Sequence, residues 1–61
     1  MFRISKVRDD GSLNFIEAMH TLEDAKARVR QIGKLWPGDY VIDNEETGDR
    51  IFVSTNDEAK N

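Results

Sequence analysis

Apolar and polar residues alternate along four short stretches of the chain, which is the pattern of a β-strand with one buried side. We expect strands at residues 2–8, 13–18, 40–43 and 50–54, the last of them rich in β-branched and aromatic residues. The Asp10-Gly11 pair between the first two stretches suits the positive φ angles of a tight turn. The first two strands are therefore predicted to form an antiparallel hairpin.

Between the two pairs of strands, the apolar residues follow a different spacing, which predicts a helix. Apolar residues recur there at intervals of three and four, at Leu22, Ala25, Val29, Ile32 and Trp36. Thr21 is a good N-cap, and Asp24 is placed to complete a capping-box-like arrangement with it. We also expect Asp24 to pair with Arg28, one turn later in the helix. Pro37 disfavours a helical residue before it, so the helix should end within 32–35.

The order of these elements predicts an α+β domain, ββαββ, in which one helix packs on one face of a four-stranded antiparallel sheet. The helix returns the chain antiparallel to the first strand, so we expect the third strand to lie beside the first, giving the order 2-1-3-4. Residues 1–54 form a single domain in this interpretation. Residues 55–61 are polar and are expected to be a flexible tail.

Strand alternation assigns side chains to the two faces of the sheet. The set expected beneath the helix is Phe2, Ile4, Leu13, Phe15, Tyr40, Ile42, Ile51 and Val53. The opposite, helix-free face is then not purely polar, because it would carry Ile16, Val41 and Phe52 beside Arg3 and Arg50. Two interpretations remain open: scattered surface residues, or the contact surface of a homodimer or of a protein partner.

Composition narrows the classes of function. The chain has 61 residues, no cysteine and a net charge of −3, so it can build one small core without disulfides or thiolate zinc sites. A small core favours oligomerisation, and the negative charge disfavours nucleic acid and anionic lipid as partners. No stretch resembles a signal peptide or a membrane span, which predicts a cytoplasmic protein without membrane contact.

Candidate catalytic and metal-binding groups are sparse. His20 is the only histidine and has no partner of a type that would complete a zinc site. The acidic stretch 43–49 resembles a calcium loop, but Ser54 stands where the pattern requires a glutamate. The other carboxylates fall in turns and at the start of the helix, where solvent leaves them untuned. We therefore expect no enzyme, no metal and no cofactor.

Basic residues support an alternative function. Lys26, Arg30 and Lys34 recur every fourth position along the predicted helix, and Arg3 and Arg50 belong to the predicted sheet. Together they could contact phosphates in a nucleic-acid-binding domain. The alternative to that interpretation is a solvated helix surface whose cations are favoured by the helix dipole.

Two segments carry a resemblance to known domains. Residues 15–27, 36–42 and 47–52, with Trp36-Pro37-Gly38-Asp39-Tyr40 among them, resemble small bacterial domains of uncharacterised function. More distantly, a short sheet before a helix that opens with Thr21-Leu22-Glu23-Asp24-Ala25 is similar to the arm-type DNA-binding domains of phage integrases and to plant AP2 domains. That likeness implies a sheet that reads DNA, for which the chain offers mainly Arg3 and Arg50.

Overall fold

A computed structural model of the chain describes residues 1–55. Its elements are β1 (Phe2–Val7), β2 (Leu13–Met19), α1 (Leu22–Leu35), β3 (Asp39–Asn44) and β4 (Arg50–Ser54). The predicted ββαββ fold with one antiparallel sheet is confirmed. Of the tail predicted at 55–61, residues 56–61 lie outside the described residues.

The sheet has the strand order β2-β1-β3-β4, as predicted. Every neighbouring pair is antiparallel, and Ile4 of β1 lies between Glu17 of β2 and Ile42 of β3. Two hairpins account for the outer pairings, and α1 brings β3 back beside β1. The central strands are therefore β1 and β3, and β2 and β4 form the edges.

Local signals set both ends of α1. The Thr21 hydroxyl oxygen accepts a hydrogen bond from the Asp24 amide at 3.1 Å, which satisfies a free donor of the first turn. The helix ends at Leu35, where the Trp36 amide still donates to the Ile32 carbonyl at 2.8 Å before Pro37 breaks the pattern. The helix end expected within 32–35 is therefore confirmed.

The core lies between α1 and the two central strands. Its fully buried members are Ile4, Ala25, Val29, Tyr40 and Ile42. Tyr40 also brings a hydroxyl into this layer, and that hydroxyl donates a hydrogen bond to the Trp36 carbonyl. The helix packs against β1, β2 and β3 and makes little contact with β4, so the edge strand β4 is the least covered.

A β-bulge in β2 corrects the predicted faces. Ile4 pairs with Glu17 but Ser5 pairs with Phe15, so Ile16 is an extra residue between them. One extra residue in a strand changes the face to which the side chains before it point. Leu13 and Phe15, predicted to lie under the helix, therefore lie on the opposite face. Ile16 packs against the core, and its predicted place on the helix-free face is wrong.

Arg28 pairs with a residue of the sheet rather than with the partner predicted on its own helix. Glu17 lies opposite Ile4 and so belongs to the helix side of the sheet. Its carboxylate accepts from Arg28 Nε at 2.7 Å, and Arg28 also donates to Gln31. The pair predicted between Asp24 and Arg28 is replaced by this bridge from helix to strand.

Thr55 closes the fold at the end of β4. The sequence places it in the tail, but its side chain is only 4% exposed. Its hydroxyl accepts from the Gly38 amide at 2.9 Å, and its amide donates to the Gly38 carbonyl at 2.9 Å. Its side chain also packs on the helix at Gly33. The folded part of the chain therefore reaches Thr55.

This close approach makes a prediction about Gly33. An alanine Cβ at position 33 would lie 2.7 Å from Thr55 Cβ, so Gly33→Ala should lower the free energy of unfolding by about 1–3 kcal/mol through overpacking. Urea titration measures the change. Ala27→Gly, on the exposed side of α1, is the control and should lose about 1 kcal/mol through helix propensity alone. A stabilised Gly33→Ala variant would contradict the packing of Thr55 on the helix.

Tyr40 makes a prediction about alkaline pH. Burial raises the pKa of its phenol above the ordinary value of 10.0. The folded state thus holds this proton more tightly than the unfolded state does. The stabilisation that the protonated phenol gives the fold is therefore complete below pH 10, and it is lost as the pH rises through the pKa of the folded state. Unfolding free energies measured across this range should fall more steeply for the natural chain than for Tyr40→Phe. Equal slopes would show that the phenol titrates as if exposed.

Candidate protein-interaction surface

The face of the sheet opposite α1, the helix-free face, has a row that crosses all four strands and is apolar except at Ser5; we call it the apolar row. Ser5 of β1 lies between Phe15 of β2 and Val41 of β3, and Val41 lies beside Phe52 of β4. The two small side chains are thus on the central strands and the two phenylalanines are on the edges.

Exposure separates the members of this row. Val41 is 0% and Ser5 4% exposed, whereas Phe15 is 48% and Phe52 72% exposed. Val41 lies on the predicted face, but its neighbours already remove it from solvent, so it cannot itself anchor a partner. Phe52 is the most exposed member of the row.

A charged row runs beside the apolar row. Arg50 Nε donates to Asp43 Oδ1 at 2.8 Å across β3 and β4, and Arg3 donates to Glu45 at 3.4 Å. The guanidinium of Arg3 also lies over the Phe15 ring, 4.2 Å from its centroid. Each arginine of the helix-free face is therefore paired with a carboxylate of the same chain, and the row is close to neutral.

The remaining basic candidates lie elsewhere. Lys26, Arg30 and Lys34 are exposed on α1, each directly after one of the buried positions 25, 29 and 33. The helix covers the other side of the sheet, so these three cations and the two sheet arginines do not form one surface. A single nucleic-acid contact would have to wrap around the domain to reach all five.

A small depression adjoins Phe52 at one end of the helix-free face. It has a volume of about 360 Å³ and is lined by Val7, Asp39, Phe52, Val53 and Ser54. Sequence reasoning missed Leu13 and Phe15 as members of this face, because their place on it depends on the bulge in β2.

Within residues 1–55, no three His, Cys, Asp or Glu side chains are placed to hold a metal ion. The same part of the chain contains no helix with the length and apolar character needed to cross a bilayer.

Comparison of the chain with protein-family models, with curated proteins and with solved structures found no match. The resemblance to small bacterial domains and to integrase and AP2 domains therefore stays a prediction. Function has to be argued from the geometry of the surface.

The exposure difference between Val41 and Phe52 can be measured. Val41→Ala should lower the free energy of unfolding by about 1–3 kcal/mol, because it opens a cavity on a face that no helix covers. Phe52→Ser, measured at low protein concentration, should change it by no more than about 0.5 kcal/mol. Urea titration of both variants provides the comparison. Equal losses would place Phe52 in the packed interior, contrary to its exposure.

Proposed function

We propose that the protein is a non-enzymatic interaction module that associates with a second copy of itself, with Phe52 of the helix-free face at the contact. The observation that carries the proposal is the 72% exposure of the Phe52 side chain. A large aromatic side chain gains free energy when it is removed from water, and aromatic residues are enriched in protein interfaces.

The charges around Phe52 favour a second copy as the occupant. Arg50 is held by Asp43 at 2.8 Å, and Arg3 by Glu45 at 3.4 Å. Two identical charged surfaces repel one another when they meet, unless each has already neutralised its own charges. Because these pairs form within one chain, Arg3 and Arg50 bring no uncompensated positive charge to a contact at Phe52.

The buried polar groups favour a non-enzymatic role. Tyr40 is the only ionisable side chain that is buried within residues 1–55. Its hydroxyl donates a hydrogen bond to the Trp36 carbonyl inside the fold. The carboxylates of Asp43 and Glu45 are paired with arginines at the surface. These groups serve the fold and the neutral surface rather than a substrate.

The first test is the solution mass over a hundredfold range of protein concentration, for the natural chain and for Phe52→Asp. The natural chain should pass from monomer to dimer, and Phe52→Asp should weaken the dimer by at least about tenfold because it brings charge into an apolar contact. The midpoint of the natural dimer should change little between low and moderate salt.

A triple variant tests the alternative function. Replacing Lys26, Arg30 and Lys34 by glutamine leaves the helix-free face intact and should leave dimerisation unchanged. A strict monomer at every concentration would overturn the proposal. Salt-sensitive binding of a DNA or RNA duplex that the triple variant loses would favour the nucleic-acid alternative instead.

A further inference from the structure

The edge strand β4 is apolar on both of its faces. Ile51 and Val53 point to the helix side and pack against the core, but they are only partly buried, since α1 covers mainly β1, β2 and β3. Phe52 points to the helix-free face and is exposed. Three consecutive apolar residues in a partly exposed edge strand are a known template for pairing with another strand.

Among the described residues 1–55, one side of the β4 backbone has no neighbouring strand, and its hydrogen-bonding groups follow a defined pattern. The Thr55 amide donates to Gly38 and the Asn44 amide to Asp49, each at 2.9 Å. Antiparallel ladders alternate in steps of two residues, so the groups of Ile51 and Val53 point towards β3. The amides and carbonyls that point outwards are those of residues 50, 52 and 54.

The opposite edge of the sheet lacks this regularity. In β2 the bulge at Ile16 interrupts the register with β1 between Ile4 and Ser5. Bulges of this kind protect an edge by distorting the row of groups that a further strand would use. β4 pairs with β3 without any shift of register and contains neither proline nor lysine. The two edges therefore differ, and β4 is the one able to accept a strand.

We propose that β4 pairs antiparallel with β4 of a second copy, about a two-fold axis at Phe52, and that the two sheets form one continuous eight-stranded sheet. This inference rests on the proposed self-association and specifies its geometry. The contact is formed edge to edge, and the two helix-free faces lie side by side rather than stacking on each other.

The register follows from the free backbone groups. Full overlap of the two strands places Phe52 opposite Phe52 of the second copy, and Arg50 opposite its Ser54. The outward-pointing groups then meet one another as hydrogen-bonded pairs. On the helix side, Ile51 lies opposite Val53 of the second copy, which extends the apolar layer across the contact. No two like charges lie opposite each other in this register.

The symmetry of this contact limits it to a dimer. Pairing of β4 with β4 uses the same strand on both copies and leaves only the two β2 edges at the ends of the joined sheet. Those edges carry the bulge, so further strands are not added. Pairing of β4 with β2, which would propagate into a fibre, is disfavoured for the same reason.

Ser54→Pro tests the edge contact directly, and Ser54→Ala is its matched control. The amide of Ser54 points away from β3, so proline removes an outward donor without removing a bond of the β3–β4 ladder. Ser54→Pro should weaken dimerisation by at least about tenfold, whereas Ser54→Ala should retain it. Thermal unfolding at low protein concentration checks that both variants fold.

Amide hydrogen exchange of the natural chain gives a second readout that does not depend on the proline variant folding. The Phe52 and Ser54 amides should become protected as the protein concentration rises through the dimer midpoint, while the core amide of Tyr40 stays protected throughout. Phe15→Asp, on the far edge of the helix-free face, should leave this dimer intact.

The outcomes distinguish the two proposals. A dimer that persists in Ser54→Pro, with unprotected Phe52 and Ser54 amides, and that is lost in both Phe52→Asp and Phe15→Asp would show stacked faces. That result overturns edge pairing and leaves self-association standing. A strict monomer at every concentration overturns both proposals. It does so even if β4 pairs with a strand of a different protein.

Discussion

The structure depends on one constraint: a single helix of 14 residues has to cover a sheet of four strands. α1 lies over β1, β2 and β3, and Ile4, Tyr40 and Ile42 are fully buried beneath it. Within residues 1–55, the helix-free face has no second layer, and its exposure is reduced through side-chain size. Ser5 and Val41 are small and central, and the phenylalanines on either side help to remove them from water.

Most of the fold follows from signals that act over a few residues. The Thr21 cap, the stop before Pro37 and the Asp10-Gly11 turn are each local, and they set the ends of the helix and the first hairpin. The strand order follows because a helix between two hairpins leaves few ways to return to the sheet. These parts could be predicted because each depends on a few consecutive residues or on the order of the elements along the chain.

The errors have a common physical origin in contacts between distant parts of the chain. The bulge at Ile16 is a property of how β2 pairs with β1, and it alone moves Phe15 to the helix-free face and Ile16 to the core. Gly33 is buried because Thr55 packs on it from the end of β4, a contact that the residues around Gly33 do not predict. Val41 and Phe52 lie on the same face of the sheet. Their exposures differ because Val41 is on a central strand and Phe52 is on an edge strand.

The edge strand explains why the candidate site belongs with β4 rather than with the whole helix-free face. Folding of one chain requires Ile51 and Val53 to pack against the core, but it does not require an aromatic side chain at position 52, which is 72% exposed. A strand left free in water is usually guarded by lysine, proline or a bulge, and β2 has such a bulge while β4 has none of these. An unguarded edge with free amides on either side of an exposed phenylalanine is consistent with a strand that has a partner, and the neutral pairing of Arg50 with Asp43 permits that partner to be its own copy.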